Sequence, residues 1–194
     1  MKKVLRYWKI NTFILALAVA TGLHFKNSAP GQLELVTNGK SQYVIVVAAG
    51  SPPQVQRAAT LLQQYVEKMS GCRLPVTSTL TGENKGILIK EVDGLKYDGF
   101  RINTLSNGAI SIEGGKSRGC IYGAVRILDK YLGCHLYSPR YKVIPTSKDL
   151  RLPLLREADS SVNSLRIVFT LNEFSDDADL LDWNRITNRF PPFA

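Results

Sequence analysis

Five acids crowd the end of the chain: Glu173, Asp176, Asp177, Asp179 and Asp182. Paired carboxylates can serve as acid and nucleophile, or as acid and base. Cleavage of a glycosidic bond takes two of them, about 5 Å apart for retention or 6.5–9.5 Å apart for inversion. The proton donor of such a pair needs a raised pKa, which burial supplies. Acids on one exposed helix turn point into water and lack that environment. A solvated helix start is therefore the expectation for this cluster, with Asp176 and Asp177 where the helix dipole favours negative charge. The spacing does not match a calcium loop. Glu34, Glu67, Glu91, Asp93, Asp98 and Glu113 are scattered, and no spacing pairs them.

Other reactive residue types give weaker patterns. Gly114-Gly115-Lys116-Ser117 looks like the end of a phosphate-binding loop, but the full pattern needs a glycine where Ile110 stands. A glycine-rich turn into a helix, capped by Ser117, accounts for it. His24 and His135 lack any spacing to Cys or Glu that suggests zinc. Neighbours in a strand point to opposite faces, so Cys134 and His135 make a poor nucleophilic pair and His135 is read as structural. Cys120 and Cys134 stand fourteen residues apart along one helix, roughly 20 Å at 1.5 Å per residue, too far to bridge. Cys72 and Cys134 share the pattern K-x-x-G-C-x-L after a helix. They are read as two buried thiols, with a disulfide after export as the alternative. Tyr137, Tyr141, Trp183 and Phe190 are candidates for an aromatic platform under a sugar ring. Aromatics more often fill a core or a domain interface, and the C-terminal ones are read that way.

The elements that must position these residues follow from periodicity. Tyr43 to Val47 is a β-branched apolar run and reads as a buried strand. Ser51 is placed as an N-cap and Pro52 as the first helical residue. Val55, Ala58, Ala59, Leu62, Val66 and Met69 then share one helix face, and Gly71 stops the helix. Leu74-Pro75-Val76 is extended, residues 77–85 form a polar loop, and Gly86 to Ile89 is a second buried strand. Gly99 to Ile102 and Ala109 to Ile112 alternate about the turn Ser106-Asn107-Gly108, a hairpin signal. Ile121, Ala124, Val125, Leu128 and Leu132 line a second helix, which Gly133 ends. His135-Leu136-Tyr137 runs extended until Pro139. Past it come short proline-marked extended pieces at 143–145 and 150–154, a strand at 164–169, and a short helix at 176–187 capped by Ser175. The order β-α-β-β-β-α-β predicts an α+β two-layer sandwich, with two amphipathic helices on one face of a mixed or antiparallel sheet. Gly119 and Gly123, at i and i+4, would let the second helix approach its neighbour closely.

Within this region the residues Asp98-Gly99-Phe100-Arg101, Arg118-Gly119, Tyr122-Gly123, Leu132-Gly133-Cys134 and Tyr137-Ser138-Pro139 form a distributed signature. It resembles the small α/β domain that precedes the catalytic barrel in family 20 hexosaminidases, family 67 α-glucuronidases and less characterised secreted relatives. The resemblance covers residues 33–154. It implies an accessory, non-catalytic domain of a secreted glycoside hydrolase, packed against a barrel that this chain does not contain. It assigns structural roles to Gly99, Phe100, Arg118, Gly119, Tyr122, Gly123, Gly133 and Pro139. No family catalytic residue has a matching position, and no cofactor or metal is expected.

The 194 residues carry 44% hydrophobic content and a net charge of +9. That is enough to bury a core and excludes global disorder. Four of the positive charges, Lys2, Lys3, Arg6 and Lys9, lie in the first twenty residues, leaving +5 for the rest. No basic stripe with interleaved aromatics points to nucleic acid. A basic start, an apolar stretch at 10–20 and Ala18-Val19-Ala20 fit a secretory signal peptide, with an uncleaved anchor as the alternative. The organisation expected is a signal at 1–20, a linker at 21–32, the α/β domain at 33–155, and at 156–194 a linker or the start of a truncated catalytic region. The expected partners are the barrel and a polysaccharide or oligosaccharide, with the membrane met only through the signal segment. A free-standing carbohydrate-binding or surface-interaction module is the second reading, and a small hydrolase the third.

Overall fold

The computed structural model describes residues 31–96, 98–160 and 177–186. The signal segment, the strand expected at 164–169, Glu173, Ser175, Asp176, Phe190 and His24 lie outside the described residues. The chain runs β1 (Gln32–Val36), β2 (Tyr43–Val46), α1 (Pro53–Ser70), β3 (Val76–Thr77), β4 (Lys85–Glu91), β5 (Phe100–Thr104) and β6 (Ile110–Gly114). It continues through α2 (Gly119–Arg126), β7 (His135–Ser138), β8 (Tyr141–Val143), β9 (Leu150–Pro153), β10 (Arg156–Asp159) and α3 (Ala178–Trp183).

Six strands form the main sheet in the order β10-β5-β6-β4-β2-β3. Strands β3, β2, β4 and β6 run parallel, while β5 and β10 are antiparallel additions at one side. The sheet is therefore mixed, and the α+β sandwich expected from the sequence is the observed architecture. Tyr43, Ile45, Ile87, Ile89, Phe100, Ile102, Ile110 and Ile112 are buried residues of its strands. Helices α1 and α2 pack on the sheet and on each other. Lys90, Glu113 and Arg101, out of phase with the isoleucines, form a cross-strand charge triad, with Glu113 bonded to Lys90 at 3.0 Å and to Arg101 at 2.9 Å. Strand β10 puts residues 156–159 into the same sheet as β5.

Two small antiparallel ribbons also stand among the described residues. In β1–β9, Leu33 pairs with Leu152 and Val36 with Leu150, and all four are buried. In β7–β8, Leu136 packs inward while Tyr137 and Tyr141 stay exposed.

Local signals in the sequence hold with small shifts. Helix α1 ends at Gly71, whose φ of +74° and N–H bond to Glu67 O (2.8 Å) make the left-handed cap. Its start lies one residue later than expected. Pro52 precedes the helix, Pro53 is the first helical residue, and Ser51 bonds back to Ala48 O rather than capping. Ser117 is not a cap either; Arg118 directly precedes α2 and no side chain caps it. Past Arg126 the helix widens into a π turn (Ile127–Tyr131), where Leu132 N–H donates to Ile127 O five residues back. In the β5–β6 hairpin only Gly108 has positive φ, and the Asn107 carboxamide oxygen accepts from Ala109 N–H. For α3 the cap is Asp177, whose carboxylate accepts from Leu180 N–H at 3.0 Å.

Candidate functional site

The first part of the signature, Gly99 and Gly119, meets at one corner, where the turn before β5, the turn after β6 and the start of α2 come together. Gly99 O accepts from Gly115 N–H at 2.9 Å. A Cβ on Gly119 would lie 2.2 Å from Gly99 O, and one on Gly114 would lie 2.0 Å from Cys120 N. Here the backbone itself is the packing surface, so only glycine fits. A Cβ on Gly123 would lie 2.6 Å from Ile112 Cγ2, which sets α2 directly on β6. Phe100 and Tyr122 are buried, and the Arg185 guanidinium lies over both rings at 5.5 and 5.3 Å. Gly133, at φ +74°, turns the chain from the π turn into β7. Pro139 follows β7 in the turn to β8. The Gly-Gly-Lys-Ser stretch is thus a packing turn, and Lys116 is an exposed partner of Asp93.

The three described acids of the C-terminal cluster, Asp177, Asp179 and Asp182, are paired within the protein, contrary to the expectation from their spacing. Asp182 is 3% exposed and lies between Arg57 Nε (2.9 Å) and Arg118 (3.4 Å). Asp179 takes Arg57 on one oxygen and the Tyr65 hydroxyl (2.8 Å) on the other. Asp177 pairs with Lys142. Arg118 also donates to Ile186 O at 2.8 Å. These acids fasten α3 onto α1 and α2; the helix turns a charged face toward protein because two arginines wait there. Burial pushes the Asp182 carboxyl above its ordinary value against the pull of both guanidiniums. For Asp177 burial also pulls upward, but Lys142 and the Leu180 N–H hold it below. A carboxyl locked between two guanidiniums under a helix is not placed to meet a substrate, so Asp182 is structural for a different reason than the sequence suggested.

Other groups singled out by the sequence find quiet roles. Cys72, Cys120 and Cys134 are free thiols. Burial drives Cys120 and Cys134 up to about 11, which makes them inert at neutral pH. Cys134 Sγ meets Met69 Sδ at 3.3 Å. His135 Nδ1 contacts Asp129 at 2.9 Å. Among the described residues no group of His, Cys, Asp or Glu could hold a metal. A cleft of about 480 Å³ opens beyond β2, beside the start of α1. Its polar side chains turn to nearby carbonyls: Gln56 bonds Ser51 O, and Thr77 bonds Thr79 O. They do not converge on a ligand.

The aromatic candidates divide. Trp183 is packed, with its ring 4.7 Å from Tyr65 and its indole N–H on Cys134 O at 3.0 Å. Tyr137 and Tyr141 are 57% and 61% exposed, and their rings stack at 5.5 Å with 26° between planes. His135 flanks Tyr137 at 5.9 Å. Sequence could name these residues; their separation into an inward and an outward set needed the register of β7 and β8.

No family model matches the sequence, and no curated protein matches it. Among solved structures, one shares the fold and two others match less closely. A family GH115 4-O-methyl-α-glucuronidase with specificity for decorated arabinogalactans matches 79% of this chain with a TM-score of 0.58 at 17% identity. The GH20 β-N-acetylhexosaminidase of Streptomyces coelicolor A3(2) matches 71% of it with a TM-score of 0.49 at 17% identity. The β-hexosaminidase of Streptomyces plicatus matches 66% with a TM-score of 0.47 at 18% identity. The chain spans about a quarter of the length of each, 25%, 25% and 23%. At these identities the likeness is one of fold. The resemblance read in the signature is borne out at that level; the α-glucuronidase matched is of family 115, where the sequence resemblance named family 67.

Proposed function

We propose that this chain is an accessory, non-catalytic α/β domain of a secreted glycoside hydrolase acting in carbohydrate breakdown, and that it supports a catalytic barrel. The observation that carries this reading is the fold shared over 79% of this chain with a quarter of an α-glucuronidase. The chemistry of the described residues supports it. Their two buried carboxylates, Asp98 and Asp182, are bound to the protein itself: Asp98 accepts from Arg118 N–H at 3.3 Å, and Asp182 faces two arginines. Neither is an acid opposed to another across a cleft, as glycosidic hydrolysis requires. Secretion rests on the basic and apolar N-terminal segment alone. Among the described residues, no helix is long and apolar enough to cross a membrane.

The test compares the purified chain with the whole product of its gene on a panel of nitrophenyl glycosides, including glucuronides and N-acetylhexosaminides. The chain alone should hydrolyse none. The gene product should hydrolyse at least one, and deletion of residues 31–160 should lower its melting temperature. Turnover by the isolated chain that follows the protein through purification, whether or not Asp98→Asn or Asp182→Asn removes it, would overturn the proposal.

A further inference from the structure

The outward side of the β7–β8 ribbon carries His135, Tyr137, Tyr141 and Val143 in one strip. The register places His135 opposite Val143 and Ser138 opposite Tyr141, so the two tyrosines close the strip at the turn end. Its inward side is anchored three ways. Leu136 is buried, Trp183 and Asn184 donate to the Cys134 and Leu136 carbonyls, and Lys142 pairs with Asp177. The strip is thus a preordered aromatic surface on a fixed support, and binding there costs little conformational entropy.

Its size selects among occupants. Two tyrosines exposed by about three fifths, with Val143 exposed by about a third, offer on the order of 250–300 Å². A specific protein interface needs roughly 800 Å² per partner, so this strip falls well short of it. A sugar ring or two covers an area of this size. The chemistry agrees. The faces of the tyrosine rings are electron-rich and attract the weakly positive C–H face of a pyranose. Polar groups border them: the His135 imidazole, oriented by Asp129 at 2.9 Å, and Ser138 Oγ, which accepts from Tyr141 N–H at 3.0 Å and carries its own O–H.

We propose that the Tyr137–Tyr141 face of the β7–β8 ribbon is a surface binding site for pyranose rings of a polysaccharide. The site needs no catalytic neighbour and would act whether or not a barrel is attached.

The experiment uses the full chain on an array of neutral and acidic polysaccharides, among them arabinogalactan, xylan and hydroxyethyl cellulose. Affinity electrophoresis then measures binding to those that respond. Wild type should bind at least one, with little change between 50 and 500 mM salt. Tyr137→Ala and Tyr141→Ala should each weaken binding tenfold or more, and Tyr137→Phe should stay within threefold. Circular dichroism and thermal melts of the variants report folding independently, since both side chains are exposed. The proposal is overturned if wild type binds nothing on the array, or if the alanine variants bind as wild type does. It is also overturned if gel filtration shows a wild-type dimer that the alanine variants dissolve, which would make the strip a contact between copies.

Discussion

At the scale of single residues, the glycines of the signature corner differ in what surrounds them. Gly114 and Gly119 face backbone atoms at 2.0 and 2.2 Å, which cannot yield. Gly114→Ala and Gly119→Ala should abolish folding, seen as loss of the near-ultraviolet circular dichroism signal and of soluble yield. Gly123 faces the side chain of Ile112, which has some freedom, so Gly123→Ala should fold and cost about 1–3 kcal/mol in urea denaturation. Asp182 is the other decisive residue. Asp182→Asn keeps the shape but removes the charge facing Arg57 and Arg118. Arg57 retains Asp179, and burial disfavours the ionised carboxyl more than the two arginines favour it, so the loss at neutral pH should stay below about 1 kcal/mol, well under the usual cost of breaking a buried pair.

At the scale of elements, α3 is short and could not persist alone. Its stability comes from where it docks: the Asp177 cap, the Arg57 pairs and the Trp183 ring against Tyr65. Trp183→Ala removes the ring contact and the bond to Cys134 O, and should cost about 3 kcal/mol. Hydrogen exchange would report this as faster exchange at Leu180 and Leu181, with the sheet amides of β4 and β6 unchanged. The same element marks where reading the sequence went astray. Its acids look solvated when only the sequence is in view, because spacing along a helix does not say what lies across from it. Helix α1, by contrast, was readable from Val55 to Gly71, since its apolar stripe and its cap are both local. Tyr65 lies outside the stripe read from the sequence, and it is buried because α3 covers it.

At the scale of the whole molecule, ion pairs set the response to acid. Burial pulls Glu157 and Asp159 upward, but Tyr131, Lys130 and Arg126 hold Glu157 below its ordinary 4.5, and Arg185 and Arg126 hold Asp159 below 3.8. Bonds to Lys90 hold Glu113 down, and Asp177 is held down by Lys142. For a carboxylate lowered in the folded state, the stabilisation is complete above the unfolded value and is lost as pH falls through the folded one. Asp182 has the opposite sign: with a raised folded value, it adds stability as pH falls toward 3.8. Four lowered groups outweigh one raised group. The urea midpoint should therefore drop as pH falls below about 4.5, and it should drop more steeply in Asp182→Asn, which lacks the offset. An unchanged midpoint between pH 7 and 3 would refute these pairings.

What the sequence determined by itself was most of what depends on near neighbours, the helix starts at Pro53 and Gly119 excepted. Apolar spacing set both main helices, β-branched and alternating runs set β2, β4 and the β5–β6 hairpin, and Gly71 and Gly133 set the stops. The signature at Gly99, Arg118-Gly119 and Tyr122-Gly123 was legible as well, and with it the fold that a solved α-glucuronidase shares. Tertiary structure alone decided which strands lie side by side, since the order β10-β5-β6-β4-β2-β3 joins segments far apart in the chain. It also decided that Asp182 is buried while Tyr137 and Tyr141 face outward. Exposure belongs to the assembled surface: a side chain is buried by what folds over it, and those residues stand more than a hundred positions away, as Arg57 does from Asp182.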